Sequence, residues 1–236
     1  MYHMVADLQD DSNLNYVLSK MSEILNGKFA KLDEEYVYNY FKIAYGLFSK
    51  WKQIFELKNI EGSSLQEIQD QVKMFLLERN NGSWSTMHWA NGNVPKDPNL
   101  KEALIELLGY KTTNGLPDFD DVKRRIGILV DKNSNFHIKG MSILFCTSVL
   151  FAHYEENFMI MDGPVRDIFQ IKDDAGQLEY YDHIIQQSKS LRKKFSNLNM
   201  WHINKAYAVS LNRNQIKIGH LGDNLLDLNG TTRITL

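Results

Sequence analysis

In the run FMIMDGPV, Asp162 follows three apolar residues, Met159, Ile160 and Met161, and precedes Gly163-Pro164. A carboxylate in that position fits two kinds of chemistry. It can cap a helix opened by the glycine and proline, because its oxygen accepts from an orphan amide and proline is tolerated in a first turn. In a dry cleft it can also stabilise developing positive charge, or orient and deprotonate an attacking water. The two roles are compatible. Upstream, Lys139-Gly140-Met141-Ser142 reads as a tight turn leading straight into an apolar helix over residues 143–151. Such a turn presents backbone N–H groups at a helix start, where a phosphate oxygen can sit. It also reads as a plain connection between two helices.

Other clusters carry weaker chemistry. Trp84, His88 and Trp89 lie in the one long irregular stretch, residues 80–96. They either tuck that loop onto a core or line a pocket. Arg192, Lys193 and Lys194 form either a solvated helix face or a nucleic-acid contact. Asp118, Asp120 and Asp121 invite a Mg²⁺ reading, but carboxylates in a first helical turn explain them more simply. The histidines show no ligand spacing with one another or with Cys146, whose apolar helix makes it an inert core residue. No P-loop, dinucleotide fingerprint or serine nucleophile elbow is present.

The elements that must position these residues read as helices almost throughout. Ser12 is the expected cap of a first helix bearing Leu14, Val17, Leu18, Met21 and Leu25 on one face. A second is expected from Asp33 to about Lys58, with Trp51 and Phe55 on its apolar face. Ser64-Leu65-Gln66-Glu67 fits a capping box. Further helices are expected from Asp97-Pro98 to Gly109, from near Pro117, over 143–151, and across LEYYDHIIQQSKSLRKKF and NMWHINKAYAVSL. NQIKIGHL and TTRITL read as short strands, with Asn229-Gly230 as a turn.

The 236-residue chain is 43% hydrophobic and 24% charged, as expected of a globular protein that needs no covalent staple. A single cysteine rules out an internal disulfide framework. The net charge of −2 argues against coating nucleic acid through bulk charge, yet leaves room for a locally basic cleft. No signal-peptide pattern opens the sequence and no apolar run reaches bilayer length, so a cytoplasmic protein without a membrane partner is expected.

The order of elements from Phe136 to Tyr207 resembles the helix-hairpin-helix DNA glycosylase superfamily. The resemblance lies in a glycine hairpin (Gly140, Ser142), an apolar helix over 143–151, a loop, and Asp162 with Val165 opening the next helix. It implies an all-α, two-lobed glycosylase-like fold over residues 1–212, with a hairpin lobe over about 97–212. Residues 213–236 would form an irregular or β-hairpin appendage. It implies a hydrolase that releases a damaged or modified base flipped out of DNA, most naturally double-stranded DNA, in base excision repair or in defence. Asp162 would be the catalytic carboxylate. Lys139, Gly140, Ser142, Arg166, Arg192, Lys193 and Lys194 would grip the DNA backbone. Tyr45, Trp51, Trp84, His88 and Trp89 would wall the base pocket. Two positions depart from the family pattern: Ser142 replaces the second hairpin glycine, and Lys139 replaces the usual proline. The nucleophilic lysine of bifunctional members is missing, because Ser142, Ile143 and Leu144 occupy that region. The implied enzyme is therefore monofunctional, working without metal or organic cofactor. The alternative is a catalytically inactive module of the same fold that binds DNA or a protein partner.

Overall fold

The structure, a computed structural model, describes residues 7–26, 51–80, 92–211, 215–217, 224–227 and 232–234. It is mostly helical. The chain divides into two compact units, Met1–Leu47 with Met159–Leu236, and Phe48–Phe158. Asp162 therefore belongs to the first unit and the Lys139–Ser142 turn to the second.

In the first unit, α1 (Ser12–Leu25) buries Leu14, Val17, Leu18 and Met21 completely. That spacing puts them on one helical face, each worth ~1.5–3 kcal/mol of burial. The cap is Asp11 rather than Ser12: its Oδ1 accepts from the Leu14 N–H at 2.8 Å. The carboxylate sits where a side-chain oxygen reaches the third orphan amide. Downstream lie α7 (Gly163–Ile168), α8 (Asp174–Glu179), α9 (Tyr181–Lys194) and α10 (Met200–Leu211). Helix α10 packs against α1, α7 and α9. Asn199 and His202 cap it reciprocally, each side chain accepting from the other's backbone N–H at 3.0 and 3.1 Å. Burial pushes the His202 imidazole down to about 4, so it stays neutral and can accept. The appendage is a three-stranded antiparallel sheet, β3 (Gln215–Lys217), β4 (Asn224–Asp227) and β5 (Thr232–Ile234), rather than a hairpin. Asn224-Leu225-Leu226-Asp227 supplies the unexpected strand.

The second unit holds α2 (Leu57–Gly62), α3 (Leu65–Asn80), a 3₁₀ turn (Val94–Lys96), α4 (Leu100–Leu108), α5 (Phe119–Val130) and α6 (Ile143–His153). The helix ending at residue 54 breaks at Phe55-Glu56 before α2 begins, so the expected run to Lys58 is two elements. Its expected start at Asp33 lies outside the described residues. The capping box at α3 forms: the Ser64 N–H donates to Glu67 Oε2 at 2.7 Å and the Glu67 N–H to Ser64 Oγ at 3.3 Å. Helix α4 starts at Leu100, after a turn in which Asp97 Oδ1 accepts from the Asn99 N–H. A small hairpin precedes α5, with Thr113 of β1 (Thr112–Thr113) paired to Leu116 of β2 (Leu116–Pro117). Its loop is Asn114-Gly115, both at positive φ (53° and 77°), the geometry of a type I′ turn. The helix expected from near Pro117 is α5, opened by Asp118, which accepts from the Asp120 and Asp121 amides.

Helix α6 is buried at residues 143 and 145–152, hence apolar nearly all round. Its Thr147 and Ser148 hydroxyls turn back onto the Ile143 and Leu144 carbonyls, which satisfies them without water. Asp121 ties α4, α5 and the hairpin together. Its Oδ1 accepts from Arg124, and its Oδ2 from Arg125 Nε at 2.8 Å and the Lys111 N–H at 2.9 Å. Arg125 also donates to the Glu106 carbonyl of α4. The Asp121 oxygens are thus taken by arginines and a backbone amide, while Asp118 caps α5 and Asp120 pairs with Lys123 at 3.2 Å.

Burial alone would raise the Asp121 pKa, but the hydrogen bonds from Arg125, Arg124 and Lys111 outweigh it and hold the carboxyl well below the usual range. The stabilisation is therefore fully present above the ordinary carboxyl pKa of about 4 and is lost as pH falls below it. Asp121→Ala is expected to cost about 3 kcal/mol, the low end for breaking a buried pair, since Arg124 stays half-exposed. Denaturant unfolding at pH 7 and at pH 3 checks both statements: the penalty shrinks at the lower pH.

Candidate functional site

Residues 159–161 are 0–2% exposed and run outside any helix or strand into Asp162. Buried peptide groups outside a helix or sheet need other partners. Tyr181 of α9 supplies two: its hydroxyl donates to the Met159 carbonyl at 2.8 Å and accepts from the Met159 N–H at 3.4 Å. Asn204 of α10 donates from Nδ2 to the Ile160 carbonyl at 3.1 Å. The same carbonyl accepts from the Asp162 N–H at 3.0 Å. Asp162, 8% exposed, is the N-cap of α7, its Oδ1 accepting from the Val165 N–H at 3.1 Å. Pro164 sits in the first turn, where its missing N–H costs nothing. The capping role read from the sequence is thus formed, in a nearly dry setting.

Arg166 lies on α7 and is exposed. Its guanidinium folds back toward the helix start, with Nη2 4.0 Å from where a Cβ on Gly163 would lie. That brings one cation beside the Asp162 end of α7. Arg192, Lys193 and Lys194 form the last turn of α9, where cations favour the helix dipole. Lys194 Nζ donates to the Gln9 carbonyl at 2.6 Å, and Lys193 is exposed.

In the other unit, Gly140 sits at the third position of a turn closed by the Met141 N–H donating to the Ile138 carbonyl at 2.9 Å. Its φ of +96° is one that L side chains rarely adopt. Ser142 caps α6, its Oγ accepting from the Phe145 N–H at 3.3 Å. Among the described residues, the Gly140 and Ser142 amides donate to nothing and the exposed Lys139 makes no ion pair. The arrangement can accept an anion. The α5–α6 connection spans residues 131–142 in three successive turns, closed onto the Asp131, Ser134 and Ile138 carbonyls.

Trp51 is 2% exposed, with its ring centroid 5.2 Å from Phe75 and 6.3 Å from Phe55. Core packing against these rings accounts for its burial. Tyr45, Trp84, His88 and Trp89 lie outside the described residues. A groove of about 990 Å³ opens in the first unit, lined among others by Asp10, Asp11, Asp167, Gln170 and Ser210. It lies at the C-terminal end of α7, away from Asp162, and its aspartates would repel phosphate. Tyr181 was legible only as part of an apolar face, and Asn204 carried no signal, since one asparagine in a helix has many uses.

The chain matches no protein-family model, no curated protein and no solved structure. The chemistry of the site rests on the residues themselves.

Gly140→Ala is expected to destabilise the protein by ~1–2 kcal/mol. The cost is backbone strain rather than crowding, because the added Cβ would meet Val94 Cγ2 at an ordinary 3.6 Å. Thermal unfolding checks it, and Gly62→Ala, where the Cβ meets nothing, serves as the reference.

Proposed function

We propose that the chain is a monofunctional DNA glycosylase-like hydrolase acting on a damaged or modified base flipped out of DNA. The observation that carries this reading is the Asp162 carboxylate, nearly buried and fixed at both its backbone and its Oδ1. A fixed carboxylate in a water-poor site is arranged before reaction to face positive charge, and little reorganisation is needed when that charge develops. In the proposed reaction the bond from sugar C1′ to the base nitrogen breaks, and its electrons leave with the base. The sugar becomes oxocarbenium-like, and Asp162 stabilises it. A water then attacks C1′, its proton passing to Asp162 or to solvent.

The turn at Lys139–Ser142 supports DNA contact in the same reading. It offers amide donors, an exposed lysine and the positive end of α6 to a backbone phosphate. Arg166, beside the Asp162 cap, offers a cation to DNA on its own unit. The capping bond of Asp162 favours one alternative: a module that binds DNA through the turn and uses Asp162 for structure alone.

Asp162→Asn separates the two. Asparagine caps a helix about as well as aspartate, so the fold is retained while the charge is lost. The variant is expected to lower base release by at least ~100-fold, the scale of losing one transition-state charge partner, with DNA affinity unchanged. The readout is alkali cleavage at abasic sites in duplex and single-stranded oligonucleotides carrying alkylated, oxidised, deaminated or hypermodified bases. Release that persists in the variant contradicts the mechanism. DNA binding without release in the parent protein favours the module.

A further inference from the structure

We propose that Tyr181 and Asn204 are positioning residues that set the Asp162 carboxylate in place through the backbone of residues 159–161; their catalytic meaning rests on the hydrolase reading above. The linkage is continuous. Tyr181 holds both polar groups of Met159. Asn204 Nδ2 and the Asp162 N–H share the Ile160 carbonyl. The Asp162 side chain then closes on the Val165 N–H. Each step is a directional bond, so the carboxylate inherits its position from two side chains on α9 and α10.

Two features point past plain satisfaction of a buried backbone. Tyr181 and Asn204 are each 1% exposed, so neither bond competes with water. Asn204 also leaves its Oδ1 without a hydrogen-bond partner among the described residues. An apolar residue would avoid that penalty. What the asparagine provides in return is the Nδ2 bond to the one carbonyl that also holds the Asp162 backbone. By contrast, Ser188 Oγ and Tyr207 Oη, 2.7 Å apart between the same two helices, hydrogen-bond each other rather than the Met159 or Ile160 backbone. Loss of that pair loosens the helices without cutting the linkage.

The test uses the full-length chain with Tyr181→Phe, Asn204→Leu and, as reference, Ser188→Ala. The first readout is hydrogen exchange of the Val165 amide under conditions where exchange runs by local opening. Exchange about tenfold faster in Tyr181→Phe and Asn204→Leu, with Ser188→Ala near the parent, supports the linkage. Unchanged Val165 exchange in Tyr181→Phe overturns it, and so does an equal acceleration in Ser188→Ala. The second readout is single-turnover base release against DNA affinity. A rate about 10- to 100-fold lower at unchanged affinity is the signature of a misplaced group. Parallel loss of rate and affinity marks a merely structural role and overturns the catalytic part. If the parent protein releases no base, the hydrolase reading fails, and Val165 exchange alone decides whether the two residues position Asp162.

Discussion

The carbonyl of Ile160 is the point on which the Asp162 end of the first unit depends. It lies in a buried stretch outside helix and strand, and it takes one hydrogen bond from Asn204 and another from the Asp162 backbone. An irregular chain inside a core is costly unless its peptide groups are matched. The unit meets that demand with a tyrosine and an asparagine on separate helices, and so the packing of α10 against α7 and α9 becomes a requirement for where Asp162 sits. Phe169 of the α7 C-cap, with its ring centroid 5.4 Å from Tyr207, fixes the other end of the same helix. A six-residue helix has little stability of its own. Its order comes from the cap, the proline and this tertiary packing.

The second unit handles buried polarity differently. Helix α6 returns its hydroxyls to its own carbonyls, while Asp121 is surrounded by arginines and a backbone amide. Neither device leaves a group waiting for a ligand. The turn before α6 does, with amides and a lysine that find no partner among the described residues. The contrast in local chemistry separates the residues that hold the fold from those that can meet an anion.

Much of the helical architecture was legible because apolar residues recur at helical spacing, as Leu14, Val17, Leu18 and Met21 do on α1. Cap chemistry was legible where both partners are in the sequence, as with Ser64 and Glu67. The choice of Asp11 over Ser12 was not, because adjacent residues can both cap and only backbone geometry selects one. The Asn114-Gly115 turn carried its own signal, but strands of two residues have too little pattern to announce a hairpin. In the candidate site, Asp162 and Gly140 were visible as short motifs around glycine and proline. Tyr181 and Asn204 were not, because their roles come from reaching across the fold to residues far away in sequence. For Trp51 the aromatic type was legible, while its packing against Phe55 and Phe75 was set by the fold.

The central claim is that Asp162 meets positive charge on a sugar. The most direct measurement compares the affinity of the protein for two DNA duplexes, one with a cationic pyrrolidine in place of a sugar and one with a neutral tetrahydrofuran there. A carboxylate complementary to the transition state binds its charged mimic more tightly. The account predicts a preference of at least ~10-fold for the cationic duplex, the scale of one stabilising charge contact, and its disappearance in Asp162→Asn. Equal affinity for the two duplexes, or a preference that survives the substitution, would contradict it.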